Sequence, residues 1–198
     1  MKVPEKYMRK ISKEEINSFP LRQYTGPIHI VDSKCQLDFV MSQILREKVL
    51  GFDTESKPSF KKGKSYPPSL LQLACQTSVF IFKLGNNFFP DEIKKILSDS
   101  SIIKTGVAVR DDIKGLKRLS AFHDAGFVDI GEISKELGLQ THGLRNLAVN
   151  FLGFRISKNK QRSNWGRKRL SHRQIVYAAT DAWVSRELHL CLSNLKLI

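Results

Sequence analysis

The stretch Gly51-Phe52-Asp53-Thr54-Glu55 decides how this chain of 198 residues is interpreted. It continues an apolar approach, Val49 to Phe52, that is typical of a buried strand. Side chains alternate between the two faces of a strand, so Asp53 and Glu55 should lie side by side on one face. Adjacent carboxylates repel each other, which raises the pKa of one of them unless a cation intervenes. The pair therefore indicates a divalent metal site, although an acidic turn in solvent has the same local pattern.

The composition is that of a globular protein with an unusual charge. Hydrophobic residues make up 41% of the chain, and its length suits a single compact domain. There are 33 Lys and Arg against 19 Asp and Glu, which leaves a net charge of +14. A positive surface attracts polyanions, so we expect nucleic acid as the partner, and an anionic membrane surface is the second candidate from charge alone. A basic protein whose charge serves only solubility is the alternative.

The sequence also bears on location and assembly. It contains no run of eighteen apolar residues, and Met1 to Pro4 do not open a hydrophobic signal segment. We therefore expect a monomer of the cytoplasm, or of the nucleus if the source is eukaryotic, that does not bind membranes. The cysteines Cys35, Cys75 and Cys191 are far apart and lack metal-ligand spacing, so we expect reduced packing residues.

Breaks in the pattern divide the chain in two. Residues 1–27 are basic and are interrupted by Pro4, Pro20 and Gly26-Pro27, which predicts a basic N-terminal arm with one short helix after Ser12. Residues 28–198 form the predicted domain. Strand patterns occupy Ile28–Val31, Leu70–Cys75, Val79–Lys83, Ile102–Val107 and Phe127–Ile130. Helices are predicted after Ser33, Pro90, Ala108 and Thr141, the last of them ending at Gly153.

The relations between these strands can be predicted in part. The segments Leu70–Cys75 and Val79–Lys83 are so close in sequence that they should form an antiparallel hairpin. Ile102–Val107 follows a helix, so it should join the sheet as a parallel strand.

The helix that begins near Val109 separates two neighbouring acids. Its apolar stripe consists of Val109, Ile113, Leu116 and Leu119. Asp112 lies beside this stripe, whereas Asp111 falls with Lys114 on the solvated side. Asp112 is therefore the candidate for a buried site. The alternative is an acid that only favours the dipole at the helix N-terminus.

Two basic segments are candidates for nucleic-acid binding. Residues 56–69 combine lysines with aromatic rings, which suit phosphates and bases, although a solvated loop has the same composition. Residues 141–198 carry eleven Lys and Arg against Asp181 and Glu187, so nine of the fourteen net charges lie there. Trp165 either stacks on a base or anchors its loop to the core. The candidates are Lys57, Lys61, Lys62, Lys64, Lys160, Arg162, Trp165, Arg167, Lys168 and Arg169.

The last helix carries a further acid. A capping box, Ser171 to Gln174, begins this helix, which runs towards Leu195. Tyr177 and Asp181 are four residues apart and share one face, and the alanines between them allow close approach to a sheet. Burial of Asp181 requires a hydrogen-bonding partner or a metal ion. Taken alone, the pair is also explained by a simple hydrogen bond.

The order of these motifs resembles the three exonuclease motifs of the DEDD superfamily, in the DEDDy branch that has a tyrosine in the third motif. Asp53 and Glu55 on a strand, Asp112 at a helix start, and Tyr177 with Asp181 on a helix match those motifs. The likeness to ribonuclease D and to the Werner-syndrome exonuclease domain covers about residues 28 to 195. It extends to Ser69–Ala74, Gly106-Val107, Ser163-Asn164-Trp165 and Leu170-Ser171.

This resemblance implies an α/β ribonuclease H-like fold, a mixed central sheet flanked by helices. It also implies a metal-dependent 3′–5′ exonuclease that releases nucleoside 5′-monophosphates from a free 3′ end by means of two Mg²⁺ or Mn²⁺ ions. Asp53, Glu55, Asp112 and Asp181 match the metal ligands, and Tyr177 matches the residue that orients the attacking water. By likeness to the Werner-type domain, we expect DNA to be slightly favoured over RNA. A non-catalytic nucleic-acid-binding module on the same fold, or an endonuclease, is the alternative.

Overall fold

The computed structural model describes residues 3–61, 63–85 and 88–198. The strands are β1 (Ile28–Val31), β2 (Val49–Ser56), β3 (Pro68–Ala74), β4 (Val79–Lys83), β5 (Ile103–Gly106) and β6 (Phe127–Asp129). The α-helices are α1 (Lys13–Ser18), α2 (Leu37–Ile44), α3 (Asp91–Ser98), α4 (Val109–Lys117), α5 (Ile130–Glu136), α6 (Leu144–Leu147) and α7 (His172–Asn194). Within these described ranges, no helix has both the length and the apolar character needed to span a bilayer.

All six strands join one mixed sheet in the order β1-β4-β3-β2-β5-β6. β3 is antiparallel to its neighbours β2 and β4, and the pairs β1–β4, β2–β5 and β5–β6 are parallel. The predicted hairpin and the predicted parallel strand are therefore both confirmed. With helices on its two faces, the sheet has the ribonuclease H-like architecture that the motifs imply.

The alternation of side chains along β2 assigns its residues to two different layers. Leu50 and Phe52 are almost fully buried in the main apolar cluster, which also contains the buried side chains of α2 and α3. Gly51 and Asp53 face the opposite layer, where α7 crosses the sheet. The acidic positions of β2 thus lie on the side of the sheet that α7 covers.

α7 lies unusually close to β2. A Cβ atom at Gly51 would lie 1.9 Å from the carbonyl oxygen of Ala182, so only glycine fits at this position. Ala178, Ala179 and Ala182 are completely buried and let the helix backbone approach the sheet. The predicted capping box at its start is present, because Ser171 accepts from the Gln174 amide and the Gln174 side chain accepts from the Ser171 amide.

The N-terminal segment packs on the domain. The Tyr7 ring stacks on Phe151 with 4.5 Å between centroids, and the Tyr24 amide donates to the Thr180 hydroxyl. The predicted cap of α1 is present, since the Ser12 side chain accepts from the Glu15 amide. The division of the chain into an arm of residues 1–27 and a domain of residues 28–198 stays a prediction, although side chains of this arm are buried.

Two predicted helix caps are wrong. The Ser33 hydroxyl bonds the Gln36 side chain instead of a backbone amide, and α2 begins only after a short 3₁₀ turn, Lys34–Gln36. The Thr141 hydroxyl is buried without a partner in the part of the chain that the structure describes, and Gly143 is the residue that precedes α6. That helix continues as a π-helical turn, Ala148–Leu152, and ends at Gly153 as predicted.

The close approach at Gly51 leads to a stability prediction. We expect Gly51→Ala to lower the free energy of unfolding by ~3 kcal/mol, because the added methyl group overlaps a backbone carbonyl that cannot rotate away. In a domain of this size the melting temperature should fall by roughly 6–12 °C. Gly143→Ala is the matched control, since a Cβ there meets nothing within 4 Å. Equal melting temperatures for the two variants would contradict this account of the packing.

Candidate active site

Three carboxylates from two elements meet where α7 crosses β2. Asp53, Glu55 and Asp181 each offer an oxygen, and these oxygens lie within 4.8 Å of one another. Asp53 and Glu55 share a face because they are two residues apart on β2. Asp181 approaches them from α7 and is only 7% exposed. The cluster therefore joins the first and last acidic motifs of the sequence.

Asp112 lies at the border of this cluster. It is half-buried in the first turn of α4, and its carboxylate accepts a hydrogen bond of 2.5 Å from the Thr54 hydroxyl. Its negative charge contributes to the raised pKa values of Asp53 and Glu55, so it is their electrostatic neighbour. Asp111 instead points to solvent and pairs with Lys114. The structure thus places Asp112, and not Asp111, beside the other acids.

Burial raises the pKa of every carboxyl group in the site. The pKa of Asp53 lies well above its usual range because of burial and the charges of Asp112, Glu55 and Asp181. Burial, together with the charges of Asp181 and Asp112, raises the pKa of Glu55 to about 9. Burial also raises the pKa values of Asp112 and Asp181 to about 7. This arrangement favours a cation, since a nearby positive charge would stabilise the ionised carboxylates against the effects of burial and mutual repulsion.

The donor atoms of the site fit a hard divalent metal ion. They are carboxylate oxygens, which suit Mg²⁺ and Mn²⁺ better than softer metals. Asp53, Glu55 and Asp181 are close enough to share an ion, and Asp112 is the adjacent oxygen donor. The acidic cluster is thus compatible with divalent metal binding.

Tyr177 stands one helical turn before Asp181. Burial, followed by the nearby carboxylates of Asp181, Glu55 and Asp53, raises the pKa of its hydroxyl. The phenol therefore keeps its proton at neutral pH and can donate a hydrogen bond into the site. Its ring packs against that of Trp165, with 5.9 Å between the ring centroids.

Asp129 is a positioning residue that the sequence patterns did not reveal. Its carboxylate accepts from the amides of Ala108 and Val109, at 3.2 and 2.9 Å, and so caps the start of α4. The same group accepts from the Gly131 amide at the start of α5. Ala108 has a left-handed φ of 63°, which is strained for alanine. Asp129 thus fixes the strained turn from which α4 presents Asp112.

Gln72 also went unrecognised as a neighbour of the site. It pairs directly with Asp53 across β2 and β3, so the two side chains share one face of the sheet. Gln72 is fully buried, and neither polar atom of its amide has a partner within the described residues. The sequence does contain a signal for this residue, because Gln72 is the single polar residue inside the apolar segment Leu70–Leu73. That segment belongs to Ser69–Ala74, which is interpreted only as part of the family resemblance and not as part of the site.

The predicted nucleic-acid-binding residues mostly lie in solvent. Lys57 and Lys64 flank the Tyr66 ring at 5.3 and 5.2 Å from its centroid. Lys62 lies outside the described residues. Lys160 borders a cavity next to Tyr177 and Asp181. The remaining exposed side chains are Lys61, Arg162, Arg167, Lys168 and Arg169.

Trp165 differs from the other members of that group. It is only 1% exposed and packs in the cluster with Leu70 and Ala178 beneath its loop. A buried indole ring presents no face to a base, so the prediction that Trp165 stacks on nucleic acid is not supported by its position. The alternative interpretation, an anchor that holds the loop against the core, agrees with this burial.

Comparison with known proteins assigns the domain to a family. The 3′–5′ exonuclease family model matches residues 28–195. A similar protein is the bifunctional 3′-5′ exonuclease/ATP-dependent helicase WRN of Mus musculus, 32% identical over 153 residues. That alignment covers 74% of this chain but only 11% of the relative. The chain also spans less than half of two further curated relatives, 24% and 42% of their lengths.

Solved structures share the fold at lower identity. The Nibbler EXO domain of Aedes aegypti superimposes with a TM-score of 0.75 at 22% identity, over 90% of this chain and 94% of that one. Escherichia coli RNase D, an exoribonuclease involved in structured RNA processing, gives 0.74 at 19% identity, over 86% and 46%. Brucella melitensis NrnC with bound Mg²⁺ gives 0.68 at 20% identity, over 88% and 81%. With the family model matching 168 consecutive positions, residues 28–195, this chain belongs to the 3′–5′ exonuclease family, whose members are hydrolases that act on nucleic acid.

Proposed function

We propose that this domain uses two divalent metal ions to remove nucleoside 5′-monophosphates from the 3′ end of a nucleic acid, with DNA slightly favoured over RNA. The observation that carries this proposal is the cluster of Asp53, Glu55 and Asp181, whose oxygens lie within 4.8 Å of one another beside Asp112 and Tyr177. A binding module has no need for so many buried carboxylates, because their repulsion destabilises the fold.

The four acids would hold the metal ions. Mg²⁺ or Mn²⁺ bound to Asp53, Glu55, Asp112 and Asp181 would activate a water molecule and neutralise charge on the phosphate and the leaving oxygen. The role of the chain is to fix these oxygen donors. Asp53 and Glu55 are fixed by β2, and Asp181 by the close packing of α7. Asp112 is fixed by α4, which Asp129 caps.

Tyr177 would orient the attacking water. Its raised pKa keeps the hydroxyl protonated, so it acts as a donor and not as a base. It lies one turn from Asp181 on the same face of α7, at the edge of the acidic cluster. A fixed donor at this point aligns a water molecule or a phosphate oxygen with the scissile bond.

The preference for DNA and the monomeric state are two further parts of the proposal, and they rest on observations outside the acidic cluster. The preference for DNA rests on the resemblance to the Werner-type domain, and one neighbour in fold is an exoribonuclease, so both sugars must be compared. We also propose that the protein acts as a monomer on nucleic acid with a free 3′ end. A net charge of +14 favours polyanion binding and opposes self-association.

Hydrolysis of labelled strands tests the proposed reaction. We expect matched 5′-labelled single-stranded DNA and RNA to shorten from the 3′ end with Mg²⁺ or Mn²⁺ and to stay intact in EDTA. Asp53→Asn should lower kcat by ~10³-fold through the loss of a charge-stabilising ligand, and Tyr177→Phe by ~10²-fold through the loss of water positioning. The control is Asp111→Asn, which removes the neighbouring solvent-exposed acid and should leave kcat unchanged.

Other outcomes would identify the alternatives. Binding of both strands without cleavage in either metal would indicate a non-catalytic module. Cleavage of a circular single strand, which has no 3′ end, would indicate an endonuclease.

The raised pKa values lead to a prediction about pH. Between the unfolded-state pKa values near ~4 and the native values, which reach about 9 for Glu55, the native protein binds more protons than the unfolded chain. This excess stabilises the native state at low pH and is lost as the pH rises. In EDTA, the acids should therefore make stability fall from pH 5 to pH 9, and Mg²⁺ should restore more of it at pH 8 than at pH 5.

Asp53→Asn isolates this effect from the other titrating groups. At pH 8 in EDTA it should melt ~2–4 °C above the wild type, because a neutral amide avoids the cost that burial and the neighbouring charges impose on the Asp53 carboxyl group. The rise in melting temperature on addition of Mg²⁺ should be smaller for this variant than for the wild type. Thermal unfolding followed by circular dichroism measures both quantities, and a variant that melts below the wild type in EDTA would contradict the proposed repulsion.

A further inference from the structure

A cavity of about 440 Å³ adjoins the acidic cluster on the side of the N-terminal segment. Tyr177 and Asp181 form part of its wall, so the cavity is continuous with the candidate active site. Its other walls come from residues 21–23, from Ser157, Asn159 and Lys160, and from the first turns of α7. This volume is in the range of sites that hold small organic ligands.

The cavity is basic although it adjoins the acidic cluster. Arg22, Lys160 and Arg173 line it, and Asp181 is the only acid among the described residues of its wall. None of the three cations forms an ion pair with another described residue. Their charges are therefore available to an anionic ligand.

Arg22 is held in position by its surroundings. Its amide donates to the Arg155 carbonyl at 2.9 Å, and the Arg155 amide donates to the Pro20 carbonyl at 3.0 Å. The guanidinium lies 5.5 Å from the centroid of the Phe154 ring, within cation–π distance. A preorganised cation loses little conformational entropy on binding, which favours a specific contact.

Apolar surface accompanies these charges. Leu21 is 55% exposed at the rim of the cavity, and Val176 lies on the α7 side of the same cavity. A nucleotide combines an anionic phosphate with an apolar base and sugar, and single-stranded nucleic acid is bound by this mixture of cationic and apolar contacts.

We propose that this cavity binds the nucleic-acid strand on the 5′ side of the scissile phosphate, through contacts of Arg22, Lys160 and Arg173 with successive phosphates. This inference rests on the proposed exonuclease function. The departing nucleotide contributes a single phosphate, the scissile one, which lies at the acids. The three cations of the cavity, which no described residue pairs with, therefore match the phosphates of the remaining strand. Arg22 lies outside the region that the family model matches.

Binding measured without catalysis tests the first part of the inference. In an Asp53→Asn background, we expect Arg22→Ala with Arg173→Ala to raise the Kd of a 5′-fluorescein 12-nucleotide strand by ~10-fold or more. The slope of log Kd against log salt should become shallower by about 1.4, which corresponds to two lost phosphate contacts on a single strand. Fluorescence anisotropy over a salt series measures both quantities.

The control removes the same charge elsewhere. Lys34→Ala with Lys95→Ala takes two exposed lysines from the layer of α2 and α3, on the other side of the sheet, and should leave Kd within ~2-fold. The proposal would be overturned if the two double substitutions changed Kd equally, or if the cavity pair, Arg22→Ala with Arg173→Ala, left Kd unchanged. If the cavity pair fails to fold, Lys160→Ala replaces it with a single substitution in the same wall.

Substrate length tests the second part. In the enzyme that retains Asp53, and with Mg²⁺ present, Arg22→Ala with Arg173→Ala should lower kcat/KM for the 12-nucleotide strand by ~10-fold. Single-turnover cleavage of a dinucleoside monophosphate, whose only phosphate is the scissile one, should change by less than ~2-fold. Equal losses on both substrates would place the departing nucleotide in the cavity and overturn the assignment. A wild type that cleaves neither substrate would refute the exonuclease function, while the binding experiment would still decide whether the cavity holds a strand.

Discussion

The candidate site depends on the contact between the backbones of α7 and β2. Gly51 and Ala182 touch across this contact, and a methyl group at Gly51 would collide with the Ala182 carbonyl oxygen. The site follows from it directly, because Asp53 lies two residues beyond Gly51 and Asp181 lies one residue before Ala182. Any larger side chain at Gly51 would hold the helix away from the strand and separate these carboxylates. The alanines of α7 matter for the same reason, since they let a long helix lie flat against the sheet.

The packing that forms the site also has an electrostatic cost, because it withdraws several carboxylates from water and places them close together. Withdrawing four carboxylates from water, two of them almost fully and two in part, is costly, as their raised pKa values show, and the fold must offset this cost elsewhere. Part of the compensation is visible next to the contact itself. The Arg186 side chain donates to the Val49 carbonyl at 3.1 Å and to the Glu47 carboxylate at 3.3 Å, so it binds α7 to the start of β2. A nearly buried, bonded pair of this kind holds the helix in place while the acids repel.

The sequence predicts those parts of the site that depend on local periodicity. The two-residue spacing on β2 explains the pairing of Asp53 with Glu55, and the helical phase near Val109 separates Asp112 from Asp111. The contacts that fix these elements are not local. Asp129 caps α4 from twenty residues further along the chain, and neither its spacing nor its residue type distinguishes it from a surface acid. The wrong caps have the same cause, since a hydroxyl that can cap a helix is also free to bond elsewhere. Ser33 bonds the Gln36 side chain instead.

A cluster of acids poses a problem for an enzyme of nucleic acid, because it repels the phosphates that must approach it. The protein separates the two kinds of charge in space. Its acids are concentrated under α7, whereas Arg22, Lys160 and Arg173 border the adjoining cavity and form no ion pair with the residues that the structure describes. Exposed charges are screened beyond about 8–10 Å at physiological salt, so such cations act on phosphates that they nearly touch. The path of the strand must therefore follow the cations closely. In the proposed mechanism the acids would act at the scissile phosphate and not at the sugar edge that differs, so selection between DNA and RNA would depend on groups along this path.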